Sequence, residues 1–401
     1  MTRRIAFLAM AFLLVVSVQA QVPVPDPTAL SRPVPAAPTL GANSYILVDF
    51  NSGSVLVEHN ADLRVEPASI TKLMTAYVVF HELTEGTLSL QDSVPVSEKA
   101  WRTGGSRMFI DPKMTVSVED LLRGMVIQSG NDASVALAEH VAGSEEAFAE
   151  LMNHFAVQLG MTSTNFRNAT GLPDPEHYTT ARDVAKLSLA TIRDFPAFYT
   201  WYAEKEFTFN NIRQHNRNTL LWRDPAIDGL KTGHTEAAGY CLAASAKRDG
   251  MRLISTVMGS DSESSRASET QSLLNYGFRF FETVQLYRAG QKMADARVWK
   301  GASENVELGI ADELFVTIPR GRYDDLVGKI EVQPQLLAPL AEGEEVGKVR
   351  VELDGELVAE RPLVTQAVVH EAGFFGSSWD GLKLWIDGLF EDDETDDTGS
   401  D

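Results

Sequence analysis

Apolar and polar positions follow three different rhythms along this chain. SYILVDF (44–50) is an unbroken β-favouring run, NSGS supplies turn residues, and VLVEHN (55–60) resumes the run, so two strands joined by a turn are predicted. EPASITKLM (66–74) then opens a helix that is largely apolar from Thr71 to Phe80. The middle of the chain reads as helical. SVEDLLRGMVI begins with a capping pattern at Ser117 and Asp120, NDASVALAEHVAG follows directly, and EEAFAELMNHFAVQLG is amphipathic up to a glycine stop. Between about residues 226 and 259 the pattern returns to strands, with Lys247–Gly250 joining two β runs, and SETQSLLNYGFRFFETV closes the region as a helix. Strands at both ends with helices between predict one α/β (α+β) domain over residues 41–286, its sheet assembled from distant segments.

Past residue 288 helical periodicity disappears. ELFVTI and GKIEV are short alternating runs, and in VRVELDGELVAE the pair Asp354-Gly355 separates two such runs, a strong hairpin signal. A separate small β domain over 287–372 is expected, without any fixed-period repeat. The two ends read differently again. Arg3 and Arg4 precede the apolar stretch IAFLAMAFLLVVSV, and VQA ends at Ala20; residues 1–20 therefore read as a cleaved export signal, too short in its apolar part for a bilayer span. Prolines at 23, 25, 27, 33, 35 and 38 make 21–40 an extended linker. Near the other end Phe375, Trp379, Leu382, Ile386, Leu389 and Phe390 recur at helical spacing with Asp380, Lys383 and Asp387 between them, predicting an amphipathic helix over 373–391 followed by an acidic tail, 392–401.

Composition narrows the chemistry. A net charge of −21 leaves no basic excess to neutralise phosphates, which argues against nucleic acid as a partner. Cys241 is the only cysteine, so no internal disulfide is possible, and its setting GYCLAASA resembles a buried strand. The eight histidines are scattered, with no metal-binding spacing. What remains is a serine and a lysine three residues apart, Ser69 and Lys72, on one face of a helix start. Alone, that spacing is common by chance. QSGNDA adds Ser129 and Asn131 in a short turn between helices, where side chains can project into a cleft; STN at 163–165 matches the same short pattern. DGLKTGHTEAAGY adds Lys231, Thr232 and Gly233 on an edge strand with little bulk to block a ligand.

SITK, SGN and KTGHT, in this order, resemble the three motifs of penicillin-recognising serine enzymes. SGN together with KTGHTEAAGY is similar to the type-5 low-molecular-mass penicillin-binding proteins, periplasmic D-alanyl-D-alanine carboxypeptidases, and NRNTLLW, GFRFFETV and VTIPRG extend the resemblance over nearly all of the mature chain. The resemblance implies a serine β-lactamase/transpeptidase-like domain, with antiparallel sheet and helical cluster, then a small all-β domain and a C-terminal amphipathic helix. It implies a periplasmic enzyme on the outer face of the inner membrane, touching the inner-membrane surface through that helix, although with Lys383 as the only base after residue 361 binding would rest on apolar insertion. The plain alternative is a helix packed on the β domain. Partners would be peptidoglycan stem peptides and β-lactam antibiotics, with no metal or cofactor.

The roles follow from residue type and family position. Ser69 would attack a peptide carbonyl and become acylated. Lys72 would take its proton, which requires a neutral amine; burial and the charge of Lys231 are expected to lower its pKa. Ser129 would relay a proton to the leaving amine, Asn131 would hold the substrate amide, and Lys231 and Thr232 would bind the terminal carboxylate. Gly233 and His234 complete the strand, and the resemblance implies that backbone N–H groups of Ser69 and His234 form the oxyanion hole; the His234 side chain has the alternative of merely shaping that strand. Arg217 and Arg266 occupy positions resembling family arginines near the carboxylate pocket, with a solvated surface charge as the other reading of Arg266. His177 lies on a loop near the cleft, and Glu176 is a poor candidate base. Other readings are a β-lactamase or transpeptidase on the same fold, or a catalytically silent wall-binding protein. No glutamate matches the deacylating residue of a class A β-lactamase, and mere binding needs no activated nucleophile.

Overall fold

The computed structural model describes residues 34–373. The export signal, most of the proline-rich linker, the amphipathic segment from residue 374 and the acidic tail lie outside the described residues. The described residues form two compact units: 34–286 with Leu314–Arg320, and a second gathering Tyr287–Glu313 and residues 321–373.

The larger unit is a five-stranded sheet with helices on both faces. Strands β1 (Ser44–Asp49), β2 (Val55–His59), β3 (Ile227–Thr235), β4 (Gly239–Arg248) and β5 (Met251–Ser260) lie in the order β2-β1-β5-β4-β3, antiparallel throughout. Strand β1, flanked on both sides within the sheet, is buried along its full length, which is why its sequence is apolar without alternation. Ile46 and Val48 point into one core, while Tyr45 and Leu47 point into another. The first core is filled by helices α1 (Lys72–Glu85), α2 (Val118–Gln128), α3 (Asn131–Ala142), α4 (Glu145–Gln158) and α5 (Ala181–Asp194). The second is covered by α6 (Glu263–Phe280) through Ala267, Leu273, Leu274 and Phe278.

Local signals explain the element ends. Ser117 Oγ accepts from Asp120 N at 3.1 Å, capping α2, and Ser144 and Thr180 cap α4 and α5 in the same way. Three details differ from the sequence reading. The stretch 226–259 holds three strands, because Glu236–Ala238 turn the chain between β3 and β4, with Gly239 at φ 64°. Helix α6 begins at Glu263, five residues before the SETQ pattern, since Ser262 Oγ accepts from Ser265 N at 3.0 Å, and it ends at Phe280; the following FETVQLY is a strand. ELFVTI, grouped with the β domain by its alternation, supplies the strand Leu314–Pro319, which pairs with Phe281–Tyr287 and belongs to the larger unit. Alternation reports a half-buried strand but not which sheet it joins.

The smaller unit is all β: a six-stranded sheet whose longest pair, Glu345–Leu353 and Glu356–Thr365, is antiparallel. Its turn is the Asp354-Gly355 pair, both left-handed at φ 55° and 82°, the conformation that matches strand twist. Val298, Val306, Leu308, Val349, Val351 and Leu363 form its interior. Gly355→Val should therefore destabilise this unit by about 1 kcal/mol or more in a denaturant melt, because a β-branched residue is strained at positive φ; an unchanged midpoint would refute the turn assignment.

Candidate active site

The nucleophile region is a strained entry to a buried helix. Ala68 sits at φ 46°, and Ala68–Thr71 form a 3₁₀ turn that runs into α1. The strain is accommodated from outside: Gly171, at φ 81°, lies against the Ala68 carbonyl, and a Cβ there would stand 1.7 Å from that oxygen. Glycine is required at this position on both counts. Ser69 is half-buried, whereas Lys72 is 1 % exposed.

Lys72 Nζ has three oxygen neighbours: Ser69 Oγ at 3.0 Å, Asn131 Oδ1 at 2.7 Å and the Thr170 carbonyl at 2.6 Å. The last two can only accept. A neutral amine has two N–H groups and one lone pair, so satisfying both obligate acceptors leaves the lone pair facing the Ser69 hydroxyl. An ammonium fits as well, with its third N–H donated to Ser69 Oγ. The same cage thus serves both protonation states. Burial pushes Lys72 down to about 7, against the opposing charges of Asp132 and Glu145.

Ser129 caps α2 in a left-handed conformation, φ 68°, and its Oγ accepts from Lys231 Nζ at 2.9 Å. Lys231 is also buried, and its Nζ donates to the Thr232 carbonyl at 2.9 Å. Its pKa lies well below the ordinary range, first through burial and then through the positive charges of Lys72, Arg217 and Arg266. The expectation for Lys72 changes accordingly: burial is the leading cause, and the negative charges of Asp132 and Glu145 oppose it. Repulsion between the two ammonium groups is mutual, so it disfavours both being charged at once.

Asn131 is held at both ends of its amide, with Nδ2 donating to Gly104 O at 2.6 Å. The next residue, Asp132, accepts the N–H groups of Met108, Phe109 and Ile110 at 2.9, 2.9 and 3.2 Å. One turn of sequence, SGND, therefore positions two polar side chains at the lysines and ties down the 104–110 loop. STN at 163–165 does something else. Ser163 N donates to Asp183 and Asn165 Nδ2 to the Glu176 carbonyl, and among the described residues neither engages Lys72 or Lys231.

Strand β3 lies at the sheet edge. Gly233 lets it approach the nucleophile turn, since a Cβ there would sit 3.2 Å from both Ala68 Cβ and Ile70 N. Thr232 is buried beside Lys231. His234 is exposed, its ring centroid 4.1 Å from that of Tyr240. Arg217 is exposed, while Arg266 is only 5 % exposed. Arg266 lies 5.8 Å over the Tyr240 ring, pairs with Glu263 at 3.3 Å, and keeps a buried Nε without a hydrogen-bond partner. The solvated-charge reading of Arg266 is therefore wrong: α6 carries it against the strand. His177 is buried beneath the nucleophile turn, 2.9 Å from Thr71 Oγ1, and burial lowers its pKa to about 4, so it stays neutral near pH 7. Glu176 is exposed and pairs with Arg167 at 3.7 Å.

Sequence reasoning missed Thr170 and Asp132. Thr170 acts through its backbone carbonyl, which leaves no side-chain signature. Asp132 follows Asn131 directly, and an Asp in a first helical turn reads as an ordinary capping charge.

Comparison with known proteins gives the same grouping of motifs a family context. Residues 31–262 match the D-alanyl-D-alanine carboxypeptidase family, and residues 281–371 match the penicillin-binding protein 5 C-terminal domain. The chain is 46% identical over 359 residues to D-alanyl-D-alanine carboxypeptidase DacA of Escherichia coli (strain K12), covering 88% of this chain and 89% of that protein. It is 47% identical over 356 residues to DacC of the same organism, covering 87% and 89%. Among solved structures, penicillin binding protein 5 from Haemophilus influenzae superimposes with a TM-score of 0.81 at 44% identity, covering 84% of this chain and 99% of that one.

Gly171→Ala should both lower the melting temperature and slow acylation of the protein by penicillin, by about tenfold or more, because the nucleophile turn and the Thr170 carbonyl must move together. Wild-type acylation kinetics in this variant would show that the contact does not set the site.

Proposed function

The chain belongs to the D-alanyl-D-alanine carboxypeptidase family, and we propose that it trims the terminal D-alanine from peptidoglycan stem peptides through an acyl-enzyme on Ser69. The observation that carries this is the placement of Lys72 Nζ, buried among two obligate acceptors with Ser69 Oγ at 3.0 Å. Such an amine is neutral in a useful fraction of molecules near pH 7 and has nowhere to aim its lone pair except the hydroxyl.

The substrate's terminal carboxylate docks at the edge of β3, where Lys231, Thr232, Arg217 and Arg266 supply positive charge and donors. Its amide lies near Asn131. Lys72 takes the Ser69 proton as Oγ attacks the carbonyl carbon of the penultimate D-alanine, and the developing oxyanion is received by the Ser69 and His234 backbone N–H groups. Collapse breaks the peptide bond; a proton passes through Ser129 to the departing amine, and D-alanine leaves. Water, deprotonated by Lys72, then attacks the ester, returning Ser69 and the shortened stem peptide. Penicillin enters the same path, because its lactam carbonyl and carboxylate match the substrate's, and it acylates Ser69.

Export and membrane attachment belong to this reading as well. The charged and apolar pattern of residues 1–20 supports passage to the periplasm, and the apolar positions from Phe375 to Phe390 support docking on the outer face of the inner membrane.

Ser69→Ala should lose D-alanine release by roughly a thousandfold or more, and intact-mass analysis with peptide mapping should place penicillin on Ser69 alone; label elsewhere, or none, overturns the proposal. Because the base acts only when neutral, kcat/KM should fall as pH drops through about 7, by about tenfold per pH unit on the acid limb. A flat profile from pH 5 to 8 would exclude Lys72 as the base. For the membrane, mature protein should pellet with phospholipid vesicles and a variant ending at residue 373 should not; equal partitioning of the two refutes the anchor.

A further inference from the structure

Glu145 is a buried carboxylate outside the three motifs. It is the first residue of α4 and is 9 % exposed. Its Oε1 accepts from Ala169 N at 3.1 Å, and its Oε2 lies 3.1 Å from Lys99 Nζ. The other side of the same residue is also fixed, because Ala169 O accepts from Thr75 Oγ1, on α1, at 2.7 Å. Asn168 Oδ1 gathers Thr170 N, Thr170 Oγ1 and Gly171 N at 3.1, 2.9 and 2.7 Å. The next carbonyl along, Thr170 O, is the one that receives an N–H of Lys72 at 2.6 Å.

We infer that Glu145 is a positioning residue for the catalytic base: by clamping the Ala169 peptide it aims the Thr170 carbonyl at Lys72 Nζ. The inference rests on Lys72 being the base, as argued above. Without the clamp the 168–171 loop loses its tie to α4, and Lys72 loses a fixed acceptor that directs its lone pair toward Ser69. Both Glu145 oxygens are already engaged, one by a backbone N–H and one by an ammonium, so this carboxylate is not placed to activate water.

The clamp carries charge as well as geometry. The charged groups facing Lys72 are Asp132 from α3, Glu145 from α4 and Lys231 from β3. His177, beneath the turn, is neutral through burial. Glu145 favours the protonated amine, and Lys99, 45% exposed and also 3.0 Å from Glu146, offsets part of that charge from the solvent side. A partly exposed ion pair is thereby linked to the proton acceptor through the short backbone stretch from Ala169 N to the Thr170 carbonyl.

Four variants separate position from charge, read as second-order penicillin acylation of Ser69 from pH 5 to 9 together with a thermal melt. Glu145→Gln keeps an acceptor for Ala169 N–H but drops the charge. Its high-pH plateau should stay within about twofold of wild type, while its rate at pH 6 rises by about two- to threefold as Lys72 gives up its proton more readily. Lys99→Gln should move the acid limb the other way, lowering the rate at pH 6. Glu145→Ala removes the clamp and should lower the plateau by about tenfold; if it fails to fold, the first two variants still decide the charge effect. Glu146→Gln, altering the exposed carboxylate, should change neither limb. Wild-type plateaus and superimposable pH profiles in all variants would overturn the inference while leaving Ser69 chemistry intact. Failure of the wild-type protein itself to take label at Ser69 would instead sink the functional reading beneath it.

Discussion

An amine held out of water beside a hydroxyl is an uncomfortable group to build a domain around, yet the larger unit is arranged to produce that situation. Lys72 and Lys231 are among the largest fully buried side chains of the protein. Each has fixed oxygen neighbours, and each is pushed toward neutrality chiefly by loss of water. No single element creates this. Lys72 comes from the first turn of α1, its acceptors from the start of α3 and from the 168–171 loop, and its second lysine from the edge strand β3. The sheet brings these together because β3 pairs through β4 and β5 with β1, and β1 leads through β2 into the turn that carries Ser69. Fold and reactivity are coupled in the direction sequence → sheet order → burial → protonation state.

Small residues make the convergence possible. Gly233 and Gly171 approach the turn from two sides, one as an edge-strand residue and one at positive φ. Between them Ala68 is held in the left-handed region. A strained residue persists only where its surroundings over-determine it, and here the surroundings are a strand and a hydrogen-bonded loop. This is why Ser69 can sit half-exposed on a rigid turn while Lys72 beside it stays dry.

The sequence made the side-chain chemistry legible and the backbone chemistry invisible. Ser69, Lys72, Ser129 and Lys231 stand out because each supplies a functional group at a recognisable spacing, and the Asp354-Gly355 turn was readable because its φ angles demand those residues. Thr170 contributes a carbonyl that any residue would supply, and Glu145 looks like an ordinary helix-start acid. Burial was equally hidden for Arg266, whose position on α6 turns inward, since a lone arginine in a serine-rich stretch carries no marker of its facing. Where helix α6 begins, and which sheet receives Leu314–Pro319, were decided by capping and tertiary pairing rather than by periodicity.

Burial of the Lys72 amine also makes the stability of the fold depend on pH. In the unfolded chain Lys72 titrates near its ordinary value of 10.5, and in the folded chain near 7. Between those two values the unfolded state binds more protons, so stability rises with pH across that window. Below the folded value both states are protonated and the full penalty of burying an ammonium is present. The pH range in which the amine can act as a base is therefore the range in which it begins to weigh less on the fold. Asn131 Oδ1 and the Thr170 carbonyl moderate the penalty at low pH by giving the ammonium fixed acceptors. The same contacts that direct the lone pair at Ser69 when Lys72 is neutral keep the domain folded when it is not, so loosening them to ease catalysis would remove the support that makes a buried lysine tolerable at all.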